Sequence, residues 1–211
     1  MNTEDLLKRY AMGERDFRGV NLSQMILRGV DLQAIDLSQA YLTGADCREI
    51  DLSKAILCEA NLSQTILTEA NLTRTNLEKA VLHRVSLQLV NLSQGILTEA
   101  DLREANLTEA LLYKTSLGKA QLQGAVLSRA ILQRTFLRGA NLSHAILWEA
   151  NLQEANLTNA DLTGADLRGA NLEGAFLVEA NLFQASLEQV NLNKAILTGA
   201  IMPDGSVYSE Q

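Results

Sequence analysis

Residues 140–167 read ANLSHAILWEANLQEANLTNADLTGADL, with a leucine at every fifth position and a small residue two places before it. The phase holds in both directions from Phe17 to Met202, across 38 consecutive positions of which 35 are leucine; Phe17, Cys47 and Met202 stand in for the rest. A five-residue step carries an α-helix about 140° around its axis, so the leucines would smear over its whole surface. In a flat strand, side chains alternate faces with period two, and every second leucine would point the wrong way. The chain must therefore turn once per pentapeptide. Four such sides close a coil of twenty residues that keeps each leucine and each preceding small residue inside. Stacked coils then pair their backbones as parallel strands do, at about 4.8 Å per coil, which gives about nine coils and a rod near 44 Å.

The runs Ala140-Asn141-Leu142, Ala150-Asn151-Leu152 and Ala160-Asp161-Leu162 carry the pattern A-(D/N)-L-x-x. This pattern resembles the pentapeptide-repeat family, and it extends over nearly 90% of the chain. The resemblance implies an all-β fold, a right-handed quadrilateral parallel β-helix. Its handedness comes from the family and not from the spacing.

The unbroken period leaves no composition shift for a linker, so one repeat domain is expected over residues 15–202. It is flanked by an N-terminal capping helix at 1–14 and a C-terminal cap or tail at 203–211. An open solenoid exposes core and unpaired edges, so its ends need covers. Thr3 is read as the cap of a short helix containing Leu6, Leu7 and Tyr10, ended by Gly13. At the far end Pro203-Asp204-Gly205 forms a turn that lets Val207 and Tyr208 fold over the core. This helix and the Met-Pro-Asp-Gly ending look like those of cyanobacterial family members. Nine of the 13 glycines lie two residues after the leucine, where a type II turn demands positive φ. Glu, Lys, Arg or Gln at that slot elsewhere suggests a different turn at those corners.

A net charge of −7, from 25 acidic and 18 basic residues mixed along the chain, offers no basic footprint for nucleic acid. The acidic start Met1-Asn2-Thr3-Glu4-Asp5 is unlike a secretory signal, and no apolar run reaches membrane length, so a cytoplasmic protein without membrane contact is expected. Cys47 occupies a leucine slot and points inward while Cys58 points outward, which opposes a disulfide.

No catalytic constellation emerges. His83 and His144 are 61 residues apart, about three coils or 14 Å, too far to share a metal. The recurring Asp31, Asp51, Asn71 and Asn91 stack at twenty-residue spacing, and bonding to nearby backbone and to stacked neighbours explains them better than paired-carboxylate catalysis. No phosphate-binding glycine run or activated nucleophile is present. The reading is a non-enzyme without catalytic, cofactor or metal residues.

Outward charges fall in two columns: Glu49, Glu69, Glu109 and Glu149, interrupted by Arg129, and Lys54, Arg74, Lys114, Arg134 and Lys194. Ordinary solvated charge is the simpler account of both. Outward apolar residues are the better partner signal. One column holds Ile56, Ile96, Phe136, Phe176 and Ile196, with Val178 beside Phe176; Ile146 and Trp148 form a second candidate on the acidic side. Stacking of half-exposed aliphatics on neighbouring coils is the rival explanation.

These residues point to a rigid protein-interaction or regulatory scaffold, expected to be a monomer, with an unidentified protein partner. By resemblance, some cyanobacterial family members act in developmental regulation. The alternative, also by resemblance, is a DNA mimic that occupies DNA gyrase, a type II topoisomerase. Duplex DNA would present roughly 26 charges over ~44 Å, whereas this chain has a net −7 and a basic column. Gyrase-protecting relatives also tend to carry loops that interrupt the repeat or a C-terminal dimerising helix, and this sequence shows neither.

Overall fold

The computed structural model describes residues 1–209; residues 210–211 of the expected tail lie outside the described residues. From Asp16 to Ile201 the backbone is linked by parallel bridges that join each residue before a leucine to the residue twenty positions on, from Asp16↔Asp36 to Asn181↔Ile201. A twenty-residue step places four pentapeptides in each turn. Each side contributes one bridging residue before the chain turns again, so among the described residues the pairing consists of isolated bridges.

Pentapeptide 107–111 shows why this repeat is self-sufficient. Leu107 N–H donates to Val126 O on the next coil at 2.7 Å, Glu109 N–H to Ser128 O at 3.0 Å, and Leu111 N–H to Val90 O on the previous coil at 2.9 Å. Ala110 N–H closes the corner onto Leu107 O at 3.0 Å. The fifth donor, Thr108 N–H, is taken by the Asn106 side chain at 3.1 Å. Every amide is thus satisfied, and the Asx turn accounts for Asn and Asp before leucine. The same bond recurs at Asn21, Asp51, Asn61, Asn141 and Asp161.

The leucine ladder fills the bore: the mid-rod leucines, for example Leu87, Leu107, Leu127 and Leu147, are 0% exposed, and alanines such as Ala105 and Ala125 pack between them. Where threonine replaces alanine its hydroxyl is also satisfied, as in Thr65 to Leu42 O, Thr75 to Leu52 O and Thr115 to Leu92 O. Cys47 is buried, Cys58 is half-buried, and both are free thiols. Burial pushes the Cys47 thiol up to about 12.

The corners depart from expectation. Every corner residue from Gly19 to Gly199 has φ between 54° and 71°, and 28 of them are not glycine. One turn geometry therefore serves all corners, with no second type for Glu, Lys, Arg or Gln. Left-handed backbone costs an L-residue roughly 1–2 kcal/mol. The coil over-determines it: the corner amide must face the next coil to donate, as Glu109 does to Ser128.

Helix α1, Thr3–Ala11, closes the first coil, with Leu6 buried beneath it. Its N-cap is Asn2 and not Thr3: Asn2 Oδ1 accepts Asp5 N–H at 2.8 Å. Thr3 lies one residue further on, where its hydroxyl reaches Ile26 O at 3.4 Å. Gly13, at φ 94°, follows the helix end. At the opposite end the chain turns back as expected, but Val207 and Tyr208 do not cover the core. Val207 pairs edge-on with Ile201 in an antiparallel bridge, and the two side chains stay 65% and 38% exposed because the returning segment bonds to the backbone of the last side.

Candidate protein-docking face

One side of the rod carries the column Ile56, Asn76, Ile96, Ser116, Phe136, Asn156, Phe176 and Ile196, each bridged to the next. Large apolar residues alternate with small polar ones as far as Phe176. The apolar side chains are held outward by the leucine that follows each of them into the core. Phe136 is 53% exposed, Phe176 44%, Ile96 42% and Ile196 38%, while Val178 beside Phe176 is half-buried. Half of each aromatic surface therefore remains in water. Asn156 and Asn76 each accept a backbone amide two residues on, from Thr158 at 3.1 Å and Glu78 at 3.0 Å. Phe136 has no acceptor for Arg138 N–H, so phenylalanine here forgoes a bond that the repeat otherwise makes, worth about 0.5–1.5 kcal/mol.

Two shallow grooves lie on this part of the rod. Phe136 itself lines the first, with Lys114, Arg134, Thr135, Glu154, Asn156 and Phe176; the second does not include Phe136 and is lined by Thr98, Glu99, Gly118, Lys119, Arg138, Gly139 and Asn159. Arg134 Nε donates to Glu154 at 2.8 Å, which holds the Glu154 carboxyl below its ordinary range. Lys79 reaches Glu99 at 4.0 Å. Among the described residues Lys114, Lys119 and Arg138 have no carboxylate partner within salt-bridge distance, and Lys114 lies 5.3 Å over the Tyr113 ring.

Ile146 and Trp148 lie ten residues out of phase with this column, two sides around the coil, so the structure does not unite the two apolar groups. Trp148 is 38% exposed and Ile146 40%. They line a shallow hollow with Glu149, Asp166, Arg168 and Glu188. The Arg129 guanidinium stacks 4.8 Å over the indole and donates to Glu149 at 2.9 Å. The acidic column is thus internally paired at Arg129, and Leu89 also interrupts it. Arg74 in the basic column donates to Gln94 at 3.1 Å.

Several exposed apolar residues were passed over in the sequence, among them Ile26, Tyr41, Leu89, Leu111 and Phe183. Their signal was the same one, an apolar residue at an outward slot. Leu111 stands out because it lies one side before Phe136, next to Lys114.

Among the described residues no group of three His, Cys, Asp or Glu is placed to hold a metal. His144 sits at a left-handed corner above Gly164, where a Cβ would lie 2.7 Å from its Nδ1. The His83 Nδ1 is buried without a hydrogen-bond partner. No helix of the described residues is long and apolar enough to cross a membrane.

The family model described as Pentapeptide repeats matches in eight copies, over residues 15–44, 45–84, 86–120, 120–159, 137–174 and 160–199. HetL of the cyanobacterium Nostoc sp. strain PCC 7120, a pentapeptide repeat protein involved in heterocyst differentiation regulation, is 38% identical; the match covers 99% of this chain and 100% of HetL, with a TM-score of 0.47. A pentapeptide repeat protein of the Arabidopsis thaliana thylakoid lumen is 28% identical over 50% of this chain and 70% of its own, with a TM-score of 0.33. QnrB1, a plasmid-mediated fluoroquinolone resistance protein, is 18% identical over 85% of this chain and 92% of its own, with a TM-score of 0.39. No curated protein matches the chain.

Proposed function

Because this chain belongs to the pentapeptide-repeat family, we propose that it is a non-enzymatic rod that docks another protein, chiefly through Ile96, Phe136, Phe176, Val178 and Ile196. The rod is a right-handed quadrilateral β-helix of about nine coils, residues 15–202, held between the covers 1–14 and 203–211. It acts as a monomer in the cytoplasm, where its two free thiols stay reduced. A regulatory role is proposed with it, in line with the heterocyst regulation in which the 38% identical HetL is involved.

The observation that carries this reading is the column of outward apolar side chains, 38–53% exposed at Ile96, Phe136, Phe176 and Ile196. Aromatic surface left half in water is the usual raw material of an interface hot spot. Ile146 and Trp148 offer a second contact on another side, with acidic neighbours. The DNA-mimic alternative gains no support from the charge pattern: Arg84, Arg129 and Arg134 each sit on a carboxylate that such a mimic would need to present.

Affinity capture from native lysate, comparing wild type with Phe136→Asp plus Phe176→Asp, tests the column. The double variant, shown to be folded by circular dichroism, is expected to lose the captured partner. Identical captured proteins would reject the surface.

A further inference from the structure

We propose that the occupant of this face is an acidic amphipathic helix of the partner, laid along the rod axis with its apolar seam between Ile96, Phe136 and Phe176. The proposal rests on the docking reading above and deepens it. Three observations carry it: the ridge spacing, the notches between the ridges, and the unpaired cations around Phe136.

The ridges Ile96, Phe136 and Phe176 are separated by two bridges each, through Ser116 and Asn156. Two coils amount to about 9.6 Å. A helix repeats its apolar seam every seven residues, or about 10.5 Å. Inclining it by about 24° brings that repeat to the ridge spacing, close to the roughly 20° crossing at which side chains interdigitate. An extended strand returns a side chain to the same face every ~6.6 Å, which fits neither one coil nor two. The small polar rows at Ser116 and Asn156 leave notches into which the helix's leucines or isoleucines seat, on the logic of knobs entering holes. Ile96 to Phe176 spans four coils, about 19 Å, so some 14 helical residues engage it.

Charge selects the sign of the partner. Several corner cations find acids one coil on, Arg84 with Glu104, Arg129 with Glu149 and Arg134 with Glu154, whereas Arg74 bonds the neutral Gln94. Lys114 lines the groove that holds Phe136, Arg138 follows Phe136 by two residues and shares a hollow with Lys119 and Glu99, and none of the three has an acid within salt-bridge distance among the described residues. Of the nearby acids, Glu99 is paired with Lys79 and Glu154 with Arg134, while Glu179, held by the neutral Asn159 amide at 2.6 Å, keeps its single charge. At physiological salt, charges beyond about 8 Å are largely screened, so these three cations outweigh the net −7 of the whole chain at this spot. A helix with glutamates flanking an apolar seam satisfies both features; a basic helix satisfies only one.

Two synthetic peptides of 18 residues, with leucine at heptad a and d and either Glu or Lys at the flanking positions, separate the cases by fluorescence anisotropy. The wild-type rod is expected to bind the Glu peptide at least tenfold more tightly than the Lys peptide. Phe136→Asp is expected to abolish that binding. Lys114→Glu with Lys119→Glu and Arg138→Glu, all at exposed positions, is expected to reverse the preference without unfolding the rod. Equal affinities, a preference for the Lys peptide, or indifference to Phe136→Asp overturns the proposal. A rod that ignores both peptides, yet loses its lysate partner on Phe136→Asp plus Phe176→Asp, keeps the docking column and refutes the acidic helix.

Discussion

The two ends of the rod solve the same problem unequally. At the N-terminal end α1 lies across the mouth of the first coil and leaves Leu6 0% and Phe17 1% exposed. Tyr10 Oη donates to Gln33 O at 2.9 Å and the Thr3 hydroxyl to Ile26 O, so the helix is tied to two sides at once. Its N-terminal acids Glu4 and Asp5 and its C-terminal Lys8 and Arg9 also suit its dipole. At the C-terminal end the returning segment pairs edge-on: Gly199 N–H donates to Tyr208 O, Tyr208 N–H to Ala200 O, and Met202 N–H to Ser206 O. That serves the backbone of the final side. Leu187, Val190, Leu192 and Ala195, on the sides that precede it, remain only partly buried. A helix about 10 Å wide roofs a bore; a fold-back strand completes an edge.

The middle of the rod sets the scale for both ends. Leu107 is sealed by coils above and below, so Leu107→Lys places an unpaired ammonium where no water reaches; loss of cooperative folding is expected in a circular dichroism melt. Leu6→Ala removes a fully buried side chain from the roof and is expected to cost about 2–5 kcal/mol. Leu192→Ala, already partly in water, is expected to cost about 1 kcal/mol. Equal losses for the last two would erase the contrast between the ends. Hydrogen exchange sharpens it: amides 22–34 of the first coils are expected to be protected well beyond 187–190 of the last. Thr108→Lys, beside Leu107 but outward, is expected to stay within about 0.5 kcal/mol of wild type.

The core was legible from residue identity alone, because a period of five admits only one placement of leucine and alanine. The roof was half legible: Leu6 and Tyr10 were foreseen, but the cap moved from Thr3 to Asn2, since either can precede a helix and only the bond to Asp5 N–H decides between them. The corners were not legible, because left-handed backbone at Glu109 or Lys114 runs against residue preference and is imposed by the coil on the next coil. The outward exposure of Ile96, Phe136, Phe176 and Ile196 was legible as a pattern. The isolation of Lys114, Lys119 and Arg138 was not, since it depends on which acid lies one coil on and how its side chain leans.

The smallest expected effect concerns acid, and it is read at the roof. Arg9 Nε donates to Glu14 Oε2 at 2.8 Å and a second guanidinium nitrogen binds the other oxygen, while the same guanidinium lies 5.0 Å from the centroid of the buried Phe17 ring. The hydrogen bond from Arg9, above all, holds the Glu14 carboxyl below its ordinary range. A carboxyl whose folded value is lowered contributes stability that is present above its unfolded value, about 4.3, and is lost as pH falls through the folded one. Acidification below about pH 4 is therefore expected to loosen α1, read as faster amide exchange at Leu6 to Tyr10. Leu107 N–H is bonded to the uncharged Val126 O, so acid reaches it only through carboxylates that brace the coils from outside, such as Asp101 with Arg103 and Glu154 with Arg134. In Glu14→Gln the α1 amides are expected to exchange slightly faster at pH 7 and to show a flatter profile toward acid. An unchanged acid profile in that variant would mean that apolar contact of Leu6 alone, without the Arg9–Glu14 clasp, keeps the roof on the rod.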